Sequence, residues 1–143
     1  MLRFIRATSD RDIAAAKKVR TLVFVDEQDV DPTIEHDQWD ATAIHIVGYF
    51  NDQPIAAARI RKINQQGKIQ RVAIIKEARQ QGYGKAVMRF VETVLQDLDL
   101  DEAILNAQTH ALKFYQDLGY QQASEPFYEA GIEHVKMIKK LNR

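Results

Sequence analysis

The sequence predicts an α/β domain built on a mixed, mostly antiparallel β-sheet. Two observations lead to this fold class. First, segments 43–50 and 55–63 are rich in β-branched and aromatic residues, and the turn between them, Asn51–Pro54, predicts a β-hairpin that a third strand extends into a meander. Second, a strongly amphipathic helical segment lies between that third strand and a later apolar strand, which predicts a strand–helix–strand crossover.

The N-terminal part predicts one strand and one helix. Residues 2–6 alternate weakly and indicate a strand. Ser9 followed by Asp12 is typical of a capped helix start, and apolar residues then follow helical spacing at Ala15, Val19, Leu22 and Val23. Residues 26–41 form an acidic loop, which we expect to be an ordered excursion rather than a domain linker.

The C-terminal part supplies the crossover helix and the last strands. A third strand is predicted over Lys68–Ile74, after a turn at Gly67. The helix is indicated by one apolar face made of Tyr83, Ala86, Val87, Phe90, Val91, Val94, Leu95 and Leu98. Residues 103–107 then predict a short buried strand, and residues 132–139 a final one. Between them, Thr109 is predicted to cap a helix that ends near Leu118, with Gly119 in the left-handed conformation.

Length and composition limit the class of protein. A chain of 143 residues corresponds to one domain, residues 1–143, and 45% hydrophobic with 28% charged residues predicts a folded protein. The absence of cysteine excludes disulfides, thiolate metal sites and a cysteine nucleophile. No apolar run is long enough for a signal peptide or a membrane span, so we expect a cytoplasmic protein without a membrane partner.

Charge is unevenly distributed although the formal net charge is zero. Between Thr21 and Ala58 there are eight acidic residues and no Lys or Arg, whereas Arg59 to Arg89 contains nine basic residues and one acidic residue. This pattern predicts either two solvated faces of opposite sign, or an anion site together with a region that faces a cation. A nucleic-acid partner is not expected, because the chain has no overall basic excess.

Gly82 and Gly84 lie between a predicted strand and the amphipathic helix. Free backbone N–H groups at the positive end of a helix bind anions, and glycine lets an anion approach closely. With Arg79 and Lys85 on either side, the segment predicts a pyrophosphate site, although an ordinary structural turn remains an alternative. The spacing matches neither the P-loop nor the dinucleotide-binding pattern.

Two blocks of the chain resemble the GNAT superfamily of N-acyltransferases. The first is Arg79-x-x-Gly82-x-Gly84 after a Val-Ala-Ile strand, which is similar to the superfamily's acyl-CoA signature. The second is Leu105-Asn106-Ala107-Gln108, followed by Ala111, Phe114-Tyr115 and Leu118-Gly119-Tyr120. Segment 20–28, with Asp37, Asp40 and His45, resembles the ElaA/YjcF-type branch. The resemblance covers nearly the whole chain.

The resemblance implies a fold and a site. The fold would be a six- to seven-stranded sheet with helices on both faces and splayed central strands. The backbone of Val72, Ala73 and Ile74 would pair with the pantetheine arm of acetyl-CoA, and Asn106 would contact it. The pyrophosphate would be held by the glycine segment, which consists of Arg79, Gln80, Gln81, Gly82, Tyr83, Gly84 and Lys85. Tyr115 would lie near the thioester sulfur.

Acyl transfer to an amine requires a proton acceptor and a proton donor. A lysine-like amine has a pKa of about 10.4 and must lose a proton before it attacks. Tyr115 is the candidate proton donor, with core packing as its alternative role. Glu27 is the candidate base, and a water chain or one of four other side chains could replace it: Asp40, His45, Glu133 and His134. No metal is expected, because the spacing around Glu35-His36-Asp37 matches no metal-binding pattern.

The predicted function is transfer of an acetyl group from acetyl-CoA to a primary amine, by direct attack in a ternary complex. The acidic segment 21–58 favours a cationic acceptor such as a polyamine, an amino sugar, or a peptide or lysine amine. The alternatives are a non-catalytic acyl-CoA-binding sensor or partner module, and a nucleotide or phosphate binder. The sequence leaves open whether the protein forms a homodimer.

Overall fold

The computed structural model describes residues 1–141, and its eight strands form one sheet. The strand order is β1-β2-β3-β4-β5-β8-β6, and β7 pairs with β8. All pairs are antiparallel except the parallel pair β4–β5, as predicted. The strands are β1 Leu2–Ala7, β2 Ile44–Phe50, β3 Gln53–Ile63, β4 Gln66–Ile74, β5 Glu102–Gln108, β6 Gln121–Gln122, β7 Phe127–Glu129 and β8 Ile132–Lys140.

The number of strands exceeds the predicted six or seven, because β6 and β7 are too short to show a periodic pattern in sequence. The α-helices are α1 Asp10–Arg20, α2 Pro32–Glu35, α3 Tyr83–Asp97 and α4 Leu112–Asp117. A π-helical segment, Thr21–Glu27, continues α1, and short 3-10 turns occupy Gln38–Ala41, Lys76–Ala78 and Thr109–Ala111.

The first helix begins as predicted but does not continue as predicted. Ser9 caps it, and its Oγ accepts a hydrogen bond of 3.1 Å from the backbone N–H of Asp12. From Thr21 the backbone widens into the π-helical segment, so the spacing of a regular helix no longer returns to one face. Leu22 is consequently 43% exposed, whereas Val23 is buried.

Helices pack on both faces of the sheet. Tyr49 of β2 donates a hydrogen bond of 2.5 Å to Asp12 of α1. The preceding Gly48 faces the other side, where a Cβ would collide with Phe4. The Phe4 ring stacks on Phe90 of α3 with centroids 5.9 Å apart. Because successive residues of a strand point to opposite faces, α1 and α3 lie on opposite sides of the sheet.

The crossover helix α3 is confirmed with the predicted apolar face, and Gly67 leaves room for its Leu95 side chain against β4. The prediction for the last helix is wrong at its start. Thr109 does not cap it, because residues 109–111 form a 3-10 turn and α4 begins at Leu112 without a side-chain cap. Gly119 adopts the predicted left-handed conformation, with a φ of +98°.

The acidic segment is ordered, and it contributes to an ionic cluster inside the protein. We call it the arginine–carboxylate cluster, and its members are Arg20, Arg59, Arg71, Glu35, Asp37 and Asp40. Arg20 of α1 and Arg59 of β3 are completely buried, and Glu35 and Asp40 are 1% and 9% exposed. A buried charge is tolerated when it is paired and hydrogen-bonded, and three cations here meet three anions.

Asp40 lies between two arginines. Its Oδ1 is 2.9 Å from Nη1 of Arg20 and 2.9 Å from Nη1 of Arg59. Burial alone would raise the pKa of Asp40, but the hydrogen bonds from these arginines outweigh it and lower the pKa from 3.8 to about 2. Asp40 therefore stays ionised at neutral pH.

The other two carboxylates connect the loop to the sheet. Glu35 accepts a hydrogen bond of 2.9 Å from Nε of Arg20, and its second oxygen lies 2.7 Å from Nε of Arg71, in an ion pair without hydrogen-bond alignment. Asp37 accepts a hydrogen bond of 2.6 Å from Nη1 of Arg59. Ion pairs with arginines of α1, β3 and β4 thus attach residues 35–40 to the rest of the domain.

We expect Asp40→Asn to lower the free energy of unfolding by about 3 kcal/mol, because two buried guanidinium groups lose the anion they share. Urea denaturation followed by circular dichroism measures the loss. Asp52→Asn is the matched control, because its ion pair with Arg3 spans 3.8 Å between exposed side chains and should contribute less than about 1 kcal/mol. Equal losses in the two variants would contradict a structural role for the cluster.

Candidate functional site

A cavity of about 880 Å³ opens where the central strands separate. The parallel pairing of β4 with β5 ends at Ile69 opposite Leu105, whereas the strands continue to Ile74 and Gln108. Beyond Leu105, β5 remains paired with β8. Within residues 1–141, the β5-facing edge of β4 therefore has no strand partner after Ile69, which confirms the predicted splay.

A β-bulge shapes the β4 side of the cavity. Gln70 pairs with Arg59 and Ala73 pairs with Ala57, so two residues of β4, Arg71 and Val72, oppose one residue of β3. Arg71 adopts a left-handed φ of +58° at this bulge. Val72, Ala73 and Ile74, which follow it, line the cavity with Asn106 and Tyr115 from the other side.

The glycine segment lies at the end of this open edge. Gly82 is left-handed with a φ of +81° and precedes α3 without any side-chain cap, so the first N–H groups of the helix keep their hydrogen-bonding capacity. A Cβ at Gly82 would meet no atom within 4 Å, whereas one at Gly84 would lie 3.2 Å from the Phe114 ring.

A second cavity, of about 330 Å³, adjoins the glycine segment. It shares Ile74, Arg79, Gly84 and Phe114 with the larger cavity, so the two lie side by side. Of the residues predicted for the pyrophosphate, it is lined by Arg79, Gln80, Gly82, Tyr83, Gly84 and Lys85. Gln81 lines neither cavity.

Arg79 and Glu27 form an ion pair that the sequence did not indicate. The Arg79 guanidinium bonds both Glu27 oxygens at 2.6 Å, and its Nε donates to the Ile74 carbonyl at 3.0 Å. The hydrogen bond from Arg79 lowers the pKa of Glu27. Arg79, which was predicted to bind the pyrophosphate, and Glu27, the predicted base, are therefore ion-pair partners in the lining of the cavity.

Tyr115 of α4 lines the cavity among aromatic rings. Its ring packs edge-on against Phe114 and Tyr120, with centroids 5.0 and 5.9 Å away. Burial raises the pKa of Tyr115 from 10.0 to about 12. The phenol is therefore protonated at neutral pH and can serve as a hydrogen-bond or proton donor.

The β5–β8 side of the cavity adds a carboxylate and an imidazole. Asn106 donates a hydrogen bond of 3.1 Å to Glu129, which sequence reasoning missed because the short strand β7 has no periodic pattern. His134 lines the cavity, and its Nδ1 is 2.6 Å from the Ile132 carbonyl. Since a carbonyl only accepts, Nδ1 carries a proton, and in the neutral ring Nε2 is left as an acceptor.

The other candidate bases lie away from the cavity lining. Glu133 alternates with His134 on β8 and does not contribute to the described lining. Asp40 belongs to the arginine–carboxylate cluster. His45 is buried with its Nε2 at 2.9 Å from the Asp40 carbonyl, and burial lowers its pKa.

The acidic segment does not form one anionic face toward the cavity. Glu35, Asp37 and Asp40 are neutralised by arginines of the cluster, and Glu27 is paired with Arg79. Several acids of segment 21–58 thus form ion pairs with arginines of segment 59–89, and these pairs neutralise much of the opposite charge of the two segments.

The described residues provide neither a metal-binding group nor a membrane-spanning helix. Among residues 1–141, no three His, Asp or Glu side chains are grouped so that they could hold a metal ion. No helix in this part of the chain has the length and apolar character needed to cross a membrane.

The chain is similar to known acetyltransferases over almost its entire length. The family model that matches residues 14–141 is described as an acetyltransferase (GNAT) domain. The uncharacterized N-acetyltransferase YjcF of Bacillus subtilis is 36% identical over 139 residues, which covers 96% of this chain and 99% of YjcF.

Solved structures agree with the family model. A Lactobacillus plantarum crystal structure superposes with a TM-score of 0.93 and 26% identity over 99% of both chains. Escherichia coli ElaA superposes with a TM-score of 0.83 and 29% identity, over 97% of this chain and 98% of ElaA. The chain therefore belongs to the GNAT acetyltransferase family, as an acetyl-CoA-dependent N-acetyltransferase.

Proposed function

We propose that this enzyme transfers an acetyl group from acetyl-CoA to a primary amine by direct attack, without an acyl-enzyme. The observation that carries the proposal is the row of cavity-lining residues that runs from the glycine segment along the open edge of β4 to Tyr115. An extended donor on this path would have its anionic part at the start of α3 and its thioester beside the phenol. The absence of cysteine agrees with direct transfer.

The residues along the path fit acetyl-CoA. Gly82 and Gly84 leave the amides at the start of α3 accessible to a pyrophosphate, and Lys85 adds a positive charge. The unpaired edge of Val72–Ile74 offers backbone groups for the amides of the pantetheine arm, in the way that one strand pairs with another. Asn106, on the facing strand, offers a side-chain amide.

The proposed reaction forms one bond and breaks one. The neutral amine nitrogen bonds to the acetyl carbonyl carbon, the carbon–sulfur bond breaks, and the amine proton passes to a base. A backbone N–H of the Val72–Ile74 edge stabilises the negative charge that develops on the carbonyl oxygen. The thiolate of coenzyme A takes a proton from Tyr115, whose raised pKa keeps the phenol protonated until that step.

Glu27 is the proton acceptor in this proposal. Its pairing with Arg79 lowers its pKa, so the carboxylate is ionised but weakly basic. It would therefore accept the amine proton only in passing, with water carrying the proton on to solvent. His134 is the rival, because its Nε2 is an acceptor in the same cavity. Glu27 and Glu129 also provide carboxylates for a protonated amine before it loses its proton.

We expect acetyl-CoA at about 100 times its Kd to raise the melting temperature by about 5 °C or more, because a ligand that binds only the folded state stabilises it by mass action. Differential scanning fluorimetry with ATP at the same concentration is the control, and ATP should protect less. If ATP protected as well as acetyl-CoA, the cavity would be a general nucleotide site.

We expect Tyr115→Phe to lower kcat about 100-fold, because the leaving thiolate loses its proton donor, while the Kd for acetyl-CoA changes little. A thiol reagent measures the release of coenzyme A with a panel of primary amines, without background from a protein that lacks cysteine. Tyr128→Phe is the matched control, because Tyr128 is 73% exposed.

The same assay tests for the non-catalytic alternative. Tight binding of acetyl-CoA without amine-dependent release of coenzyme A would make the protein a sensor or partner module. An unchanged kcat in Tyr115→Phe would leave the phenol with a packing role only.

We expect Glu27→Gln to lower kcat about 100-fold, because the attacking amine loses its proton acceptor. His134→Gln, which removes the rival acceptor from the same cavity, should retain activity. The measurement is kcat and kcat/KM against pH for both variants and the parent enzyme. Loss of activity in His134→Gln alone would assign the base to His134, and full activity in both variants would assign it to water.

A further inference from the structure

Two basic side chains in the cavity have no anionic partner among residues 1–141. Arg61 of β3 and Lys68 of β4 are directly opposite each other in the antiparallel pair, and both line the cavity. Among residues 1–141, neither lies within 4.0 Å of a carboxylate. Like charges directly opposite on a sheet destabilise it, so this pair carries a cost that an anion would relieve.

The neighbouring basic residues differ in this respect. Arg59, two residues before Arg61 on the same face of β3, pairs with Asp37 and Asp40. Arg71 pairs with Glu35 and Asp37. The arginine–carboxylate cluster thus uses the three loop carboxylates on its own three arginines, and none of them neutralises Arg61 or Lys68.

Arg61 is held in place although no carboxylate in the described part of the chain pairs with it. Its guanidinium carbon lies 3.7 Å from the centre of the Trp39 ring, within cation–π distance. This contact holds the guanidinium over the ring while its N–H groups remain able to bind a carboxylate or a phosphate in a fork. Trp39, which is 39% exposed, therefore positions the cation at the cavity wall.

The position of this pair relates it to the acceptor rather than to the donor. Lys68 lies four residues before Val72 on β4, or about 13 Å at the usual rise of a strand. The glycine segment lies beyond the opposite end of β4, past Ile74. An anion between Arg61 and Lys68 would therefore be on the far side of the reacting carbonyl from the pyrophosphate.

We propose that Arg61 and Lys68 form an anion subsite for the acceptor, and that the acceptor is an elongated primary amine that also carries a carboxylate or a phosphate group. The inference rests on the proposed function, and it makes the predicted cationic acceptor more specific: the amine end is cationic and the other end anionic. The span along β4 sets an upper limit of about 13 Å between the two ends.

The activity test compares amines that differ only in the terminal charge. The pairs are 6-aminohexanoate with 6-aminohexanamide, and 6-aminohexyl phosphate with 6-aminohexanol. The anionic member should have a kcat/KM about tenfold higher or more, mainly through KM, because charged hydrogen bonds form at the subsite. The preferred pair distinguishes a carboxylate acceptor from a phosphate acceptor.

Arg61→Gln and Lys68→Gln should each remove most of this preference while leaving the Kd for acetyl-CoA unchanged. Lys62→Gln is the matched control, because Lys62 is an exposed neighbour on β3 that lies outside the cavity lining. A parent enzyme that accepts neutral and anionic amines equally, or variants that keep the preference, would overturn the subsite. Absence of coenzyme A release with every amine would instead contradict the proposed function.

A binding measurement tests the subsite independently of turnover. Trp39 is the only tryptophan of the chain, so its fluorescence reports on the stacked Arg61. Titration with inorganic phosphate or succinate, at ionic strength held constant with potassium chloride, should give a saturable change in the parent enzyme and in Lys62→Gln. Lys68→Gln should lose the saturable change, and its retention in Lys68→Gln would overturn the proposal.

Discussion

The pairing of three guanidinium groups with three carboxylates fixes one wall of the cavity. Each of these charges would be costly to bury alone, and each is tolerated because its neighbours neutralise it. The acids come from one short segment, residues 35–40, whereas the arginines come from α1, β3 and β4. A loop that lacks long regular structure is therefore held on the sheet at several points, and Trp39, which lies within this segment, is brought over Arg61.

The bulge in β4 links this wall to the open edge of the strand. Because Arg71 and Val72 together oppose one residue of β3, Arg71 can reach Glu35 and Asp37. The same irregularity precedes the stretch of β4 that separates from β5 and leaves its edge open. One local departure from regular pairing thus lies between the arginine–carboxylate cluster and the open edge of β4.

The sequence predicted the mixed sheet, the crossover helix and the glycine segment, since each has a strong local signal: strand composition, an eight-residue apolar face, and two glycines before a helix. It did not predict β6 and β7, which are two and three residues long, or the π-helical turn that exposes Leu22. Within the site, the pairing of Glu27 with Arg79 depends on a tertiary contact between distant segments. The acidic segment indicated a cationic partner, but burial and pairing decide which acids remain available, and neither is visible in composition.

The arginine–carboxylate cluster also constrains how this enzyme can diverge. A loop taken from a relative would bring its own acids but not the matching arginines, which belong to the helix and the sheet. Loss of one member leaves an uncompensated charge, so substitutions there must occur as complementary pairs and will be rare. Arg61 and Lys68 are not part of this cluster, because no carboxylate among residues 1–141 forms an ion pair with either of them. Positions of this kind can therefore change without leaving a buried charge unpaired, whereas the members of the cluster cannot.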